Sequence, residues 1–219
     1  MSRAPDGRRL RLPTTLICGF AMAAIAAAGA AAAGALAEAD GPPGEMHVRV
    51  TLDAAGQGGA VTAAVRIHAR REDVWPLITS CAEELKIVPG LIGCEVEQTA
   101  ADGTVQVIRH VLLYSWYAPR LSYEFRATYA KPVRVSIERV SGDLDRLAGS
   151  WTLESDGEYT VAHYAVDLAP GFWVPHWMVR AALRRDLPKM LRALQARAEA
   201  VAAGRAKTPP GGPVRTPGS

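Results

Sequence analysis

Asparagine is absent from this 219-residue chain, lysine is scarce, and there are only 3 Cys and 3 Phe. So little cysteine excludes a disulfide-dense miniature scaffold. The five histidines (His47, His68, His110, His163 and His176) are scattered, with no H-x-x-x-H pair, and no C-x-x-C accompanies them. Those spacings imply no metal, and no cofactor motif is present. No G-x-S-x-G occurs, and Ser150 stands in Gly-Ser-Trp within a strand-like segment, which is not a nucleophile elbow. The glycine cluster Gly56-Gln57-Gly58-Gly59 falls between two alternating segments rather than before a helix, so it is a turn and not a phosphate loop.

A general excess of positive charge is missing too, although the formal net charge is +3. Arg3, Arg8, Arg9 and Arg11 lie in the first 37 residues, and Arg205, Lys207 and Arg215 lie in the last sixteen. Between them, Glu38 to Ala203 holds 18 basic and 21 acidic residues, a net of −3. A mildly acidic body has no broad attraction for phosphate backbones, and nucleic acid is excluded as a partner.

The amino terminus is laid out as a targeting segment. Four arginines precede an uncharged, alanine-rich stretch from Leu12 to Leu36 that closes on Ala35-Leu36-Ala37, a small-x-small pattern. This order predicts a signal peptide over 1–37, an exported protein and a periplasmic location, with 38–46 as a linker. The alternative is an inner-membrane anchor formed by 12–36, long enough to span but weak because alanine and glycine contribute little transfer energy. Cys18 follows Ile17 where a lipoprotein signal needs a small residue, so lipidation is excluded. In an oxidising compartment Cys81 and Cys94 either form a disulfide or remain two separate buried thiols.

The body alternates at period two. Val48, Val50 and Leu52, then Val61, Ala63, Val65 and Ile67, predict a hairpin over 47–68. Short helical pieces follow at Arg71–Ile78 and Ala82–Ile87. Strands are then predicted at Cys94–Thr99, Val105–Leu113, Leu121–Tyr129, from Val133, at Leu147–Glu154 and at Tyr159–Leu168, with turns at Asp102-Gly103 and Asp156-Gly157. Strands at this spacing without intervening helices make an antiparallel meander. From Pro175 to about Ala203, Leu183, Leu187, Met190, Leu191, Leu194, Ala198 and Val201 recur at helical steps, with Pro188 predicted to kink the helix. The segment 204–219 is too poor in apolar groups to fold. A sheet with one apolar face and one long helix bury each other best when the sheet bends round the helix, and any unfilled space becomes a cavity.

Ala69-Arg70-Arg71-Glu72-Asp73-Val74-Trp75-Pro76-Leu77-Ile78-Thr79 resembles the opening of START-like (SRPBCC) domains. Val88-Pro89-Gly90 with Gly93-Cys94-Glu95-Val96, Leu147-Ala148-Gly149-Ser150-Trp151 and the Arg-Arg-Asp-Leu-Pro-Lys-Met-Leu helix resemble its polyketide cyclase/dehydrase and coenzyme Q-binding subgroup. The similarity spans about 47–200. One departure is Ser80-Cys81-Ala82, where the subgroup usually has an Asp-Tyr pair. The resemblance implies an α+β helix-grip fold over 47–203, with about seven antiparallel strands curved round the carboxy-terminal helix and a pocket for an apolar ligand. Lipid carriers, quinone binders and aromatic-polyketide cyclases share that fold, which does not choose among them.

Tyr114, Tyr123, Phe125, Tyr129, Trp151, Leu187, Met190 and Leu191 are the expected ligand-binding lining. His110 and Arg109 are adjacent on one strand, so one of them must point inward, where it could hold a ligand carbonyl or move a proton. Phe172, Trp173 and Trp177 beside Arg180, Arg184 and Arg185 suit the mouth of the pocket or transient contact with an anionic membrane surface. The expected function is an exported binder or carrier of a hydrophobic small molecule such as a lipid or isoprenoid quinone. A cyclase- or dehydratase-like enzyme, with His110 or Arg109 and Tyr123 or Tyr129 moving the proton, is the alternative.

Overall fold

The structure is a computed structural model that describes residues 45–54, 56–113 and 120–207. The stretch expected to be a signal peptide (1–37), most of the expected linker, Tyr114 and residues from 208 onward lie outside the described residues. Chain order is β1 (Met46–Leu52), β2 (Gly59–Ile67), α1 (Arg71–Val74), a 3-10 turn (Trp75–Leu77), α2 (Cys81–Ile87), β3 (Leu91–Thr99), β4 (Val105–Leu112), β5 (Leu121–Ala130), β6 (Arg134–Gly142), β7 (Leu144–Asp156), β8 (Tyr159–Pro170) and α3 (His176–Lys207).

One antiparallel sheet of eight strands runs in the order β1-β2-β8-β7-β6-β5-β4-β3. It is the expected helix-grip arrangement with one strand more than about seven, because the hairpin at 46–67 supplies two. Consecutive strands from β3 to β8 are neighbours, as a meander requires. The exception is β2, which pairs with β8 (Ile67 opposite Thr160, Gly59 opposite Leu168). The chain must therefore cross from β2 to the far edge at β3, and α1, the 3-10 turn and α2 make that crossing. Pro76 sits at the start of the 3-10 turn, where its missing donor costs nothing, and separates α1 from α2.

The pleat delivers the core. Val61, Val65 and Ile67 of β2, Leu153 of β7 and Ala162 of β8 are almost wholly buried, and they meet Leu187, Leu191, Leu194 and Ala198 of α3. Steps of three and four residues place those α3 side chains on one stripe. The helix continues across Pro188 to Lys207, beyond Gly204 where the composition ends it. Its last turn is held because Arg205 Nη1 donates to Asp73 Oδ1 at 2.6 Å and Nη2 donates to Asp73 Oδ2, with Asp73 buried on α1. Among the described residues no helix is long and apolar enough to cross a membrane.

Candidate functional site

Between the concave face of the sheet, α2 and α3 is a cavity of about 110 Å³. Its walls are Ile108, Phe125, Ala127, Tyr129, Val135, Ile137, Leu147, Trp151 and Val166 from the strands, Leu77, Ile78, Ile87 and Val88 from the crossing, and Met190 from α3. Trp151 and Tyr164 stack with ring centres 4.5 Å apart on one side. The volume is smaller than a ~150 Å³ apolar cavity that accepts benzene. Lined by the described residues it is too small to enclose a diacyl lipid.

Polar groups converge at one end. In the sheet register Cys94 lies opposite His110, and His110 opposite Tyr123, so three side chains form a row across β3, β4 and β5. Period-two alternation turns His110 inward with Ile108 and Leu112, all three buried. Arg109 turns outward, where its guanidinium pairs with Glu97 at 2.7 Å and Glu124 at 3.3 Å. Of the two adjacent candidates the inward residue is His110; the outward Arg109 has no part in the cavity.

α2 completes the cluster. Glu84 reaches down so that its Oε2 lies 2.8 Å from His110 Nε2, and Tyr123 Oη lies 3.3 Å from Nδ1. An ionised carboxylate only accepts, so Nε2–H donates to Glu84 and in the neutral tautomer Nδ1 accepts the Tyr123 hydroxyl. Both members of the Glu84–His110 pair are largely buried, which strengthens the interaction relative to a surface pair. Phe125 packs edge-on to the imidazole at 4.8 Å between ring centres. Farther along β5, burial and secondarily the negative charge of Glu84 push the Tyr129 phenol up to about 12. That phenol donates to Gln106 Oε1 at 2.9 Å.

Cys81 and Cys94 are joined by a disulfide, so the bonded reading holds over two separate thiols. The bond ties the first residue of α2 to β3, and Cys94 Sγ lies 3.8 Å from Glu84 Oε2. Glu84, Cys94 and His110 each offer a ligand-type atom, all within 4.8 Å of one another. Sequence spacing does not reveal this group, because its members come from α2, β3 and β4.

Tyr123, Phe125, Tyr129, Trp151 and Met190 line the cavity as the sequence predicts. Leu187 and Leu191 are buried on α3 beside Met190 and belong to the packed core, and neither is among the residues that border the cavity. Phe172, Trp173 and Trp177 are exposed (43%, 76% and 63%) and are not among the described residues that border the cavity. Arg180 and Arg184 are likewise exposed and away from its walls. The segment is fastened to the β1–β2 turn, where Gln57 Nε2 donates to the Val174 carbonyl at 2.9 Å and Val174 N–H donates to Gln57 Oε1 at 3.0 Å. Glu84 is the residue that sequence reasoning missed. An acid in a helix's first turn is normally read as a solvated dipole partner, and only its i, i+3 relation to Cys81 hints otherwise.

Residues 67–195 match the family described as polyketide cyclase/dehydrase and lipid transport. No curated protein matches the chain significantly. Among solved structures, a protein from Thermus thermophilus, TTHA0849, is similar over 65% of this chain and 99% of its own, with TM-score 0.56 and 19% identity. A STAR-related lipid transfer protein from Xanthomonas axonopodis is similar over 70% of this chain and 93% of its own, with TM-score 0.60 and 19% identity. The Zhui aromatase/cyclase from Streptomyces sp. R1128 is similar over 70% and 94%, with TM-score 0.54 and 18% identity. At these identities the likeness is one of fold.

Proposed function

The chain belongs to the polyketide cyclase/dehydrase and lipid transport family, and we propose that it is an exported binding protein for a compact hydrophobic molecule carrying one polar group. The observation that carries this reading is the pairing of an apolar, aromatic-walled cavity with a single polar end at Glu84, His110 and Tyr123. Apolar burial, worth about 25 cal/mol per Å² before ordering costs, supplies affinity. The polar end orients a ligand carbonyl or hydroxyl against His110 or Tyr123. At 110 Å³ the cavity lies below the ~150 Å³ that takes benzene, so an aromatic or quinone ring enters only if the walls move apart, and any isoprenoid tail stays outside.

Export rests on the basic, apolar and small-residue order of 1–37. Delivery to or from a membrane is supported by exposed Trp173 and Trp177 beside exposed Arg180 and Arg184, a combination suited to an anionic interface.

Mass spectrometry of organic extracts from natively purified protein tests the binding reading. A stoichiometric hydrophobic compound is expected, and His110→Phe should weaken its rebinding by about tenfold, the loss of one hydrogen bond of ~1.4 kcal/mol. Extracts that contain no such compound and give no thermal stabilisation on addition overturn it.

One observation favours a second reading. His110 stands between a carboxylate and a phenol, an arrangement able to take a proton at one nitrogen while Glu84 stabilises the charge. A cyclase- or dehydratase-like proton transfer on a ring-sized ketone would use it. Chemical change of a bound ketide, lost in His110→Phe, separates the enzyme from the carrier.

A further inference from the structure

The disulfide borders the cavity's polar end, and its Cys94 sulfur is within 4.8 Å of the ligand-type atoms of Glu84 and His110. An oxidised sulfur is a poor metal ligand, whereas a thiolate is a strong one. We propose that reduction of the Cys81–Cys94 bond converts this corner into a binding site for a borderline-soft divalent cation of the zinc class. Glu84, Cys94 and His110 are its ligands, and Cys81, whose sulfur is bonded to that of Cys94, supplies the fourth.

The ligand set and its spacing carry the inference. Two thiolates, an imidazole and a carboxylate form a tetrahedral set typical of zinc, and bond lengths of ~2.0–2.3 Å place ligand atoms ~3.3–3.8 Å apart. The Glu84 oxygen already lies 2.8 Å from His110 Nε2 and 3.8 Å from Cys94 Sγ. The ligand atoms of Glu84, Cys94 and His110 already lie within 4.8 Å of one another, and Cys81, freed from Cys94, has to swing its sulfur toward them to close the site. The backbone fixes its members independently: Cys94 and His110 are direct cross-strand partners, and Cys81 and Glu84 lie one helical turn apart on α2.

The chemistry balances with a dithiol as reductant. Its two thiols lose two electrons and two protons and close into a disulfide, while the Cys81–Cys94 bond breaks to two thiols. Metal capture releases a proton from each thiol. For His110 to ligate through Nε2, the ring proton moves to Nδ1, and Nδ1–H then donates to the Tyr123 oxygen at 3.3 Å. Tyr123 thereby supplies the outer hydrogen bond that orients a metal-bound imidazole.

Cobalt(II) is the probe, added to the full chain carrying Cys18→Ser so that only the paired cysteines report. After reduction with a phosphine, one equivalent of cobalt should produce tetrahedral d–d absorption with a thiolate charge-transfer band, and zinc should displace it. The oxidised protein should bind at least about 100-fold more weakly, since two of its four ligands are withheld. Cys94→Ser should reduce the charge-transfer band to that of a single thiolate and cut affinity about 10- to 100-fold, and His110→Gln should weaken binding by a similar factor. Absence of these bands in the reduced protein overturns the proposal, as does equal binding by the oxidised form. The comparison of oxidised with reduced protein requires no core substitution, so a variant that fails to fold does not remove the test. The titration uses no organic ligand, and its failure is therefore distinguishable from failure of the hydrophobic-binding reading.

Discussion

His110 owes its role to a half-step of the pleat. Its neighbour Arg109, on the opposite face, is tied to Glu97 and Glu124, and those ion pairs help hold the register that keeps the imidazole inward. Gly142 has a comparable one-residue importance. It pairs with Tyr123, has φ of +98°, and a Cβ there would run into the Ser122 carbonyl and the Tyr123 backbone. Gly142→Ala should lower stability by about 1–3 kcal/mol in urea titration, from backbone strain and the displaced β5 strand. Tyr129 offers a direct spectroscopic check. With its folded pKa raised from 10 to about 12, the fold retains a proton that the unfolded chain loses. Stability from this group is full below pH 10 and is lost as pH rises towards 12. A phenolate absorbance titration should show one tyrosine ionising near 12, a step missing in Tyr129→Phe.

Among the elements, α3 shows how a helix that grips the sheet is itself held. Glu83 on α2 accepts from Arg197 Nε at 2.6 Å and from Lys86 at 2.9 Å, while Asp73 on α1 holds Arg205. Asp73→Asn should cost about 1–3 kcal/mol, because it weakens a charged pair whose carboxylate is buried. Hydrogen exchange should quicken first over residues 199–207. The hydrogen bond from Lys86 and the pairing with Arg197 hold the Glu83 carboxyl below its usual 4.5. Its depressed pKa contributes stability above 4.5 that is lost as pH falls through the folded value, so Glu83→Gln should flatten the acid limb of the stability–pH curve. These anchors explain what the sequence concealed. Strands and the α3 stripe were legible because alternation and helical steps are local. The end of α3 was not, since the partner of Arg205 lies 132 residues away, and Glu84 was hidden because its meaning depends on where the crossing lands. Five expected lining residues follow from facing alone, whereas Leu187 and Leu191 show that an inward face does not distinguish core from cavity.

At the level of the whole molecule, the disulfide closes a short loop of sequence separation 13. In the loop-entropy account, opening it costs about 3 kcal/mol. Reduction should therefore lower the thermal midpoint without abolishing the fold, measurable by circular dichroism with and without phosphine. A protein whose melting is indifferent to reduction would show that β3 and α2 are held without the link.

The pairing of β2 with β8 also governs how the chain can be assembled. Residues 59–67 find one of their two neighbours only when 160–168 have been made, a long-range closure that slows folding. A nascent chain halted before Tyr159 presents two raw sheet margins, at β2 and β7, with nothing to cap either. Truncations there should precipitate rather than persist as smaller soluble units.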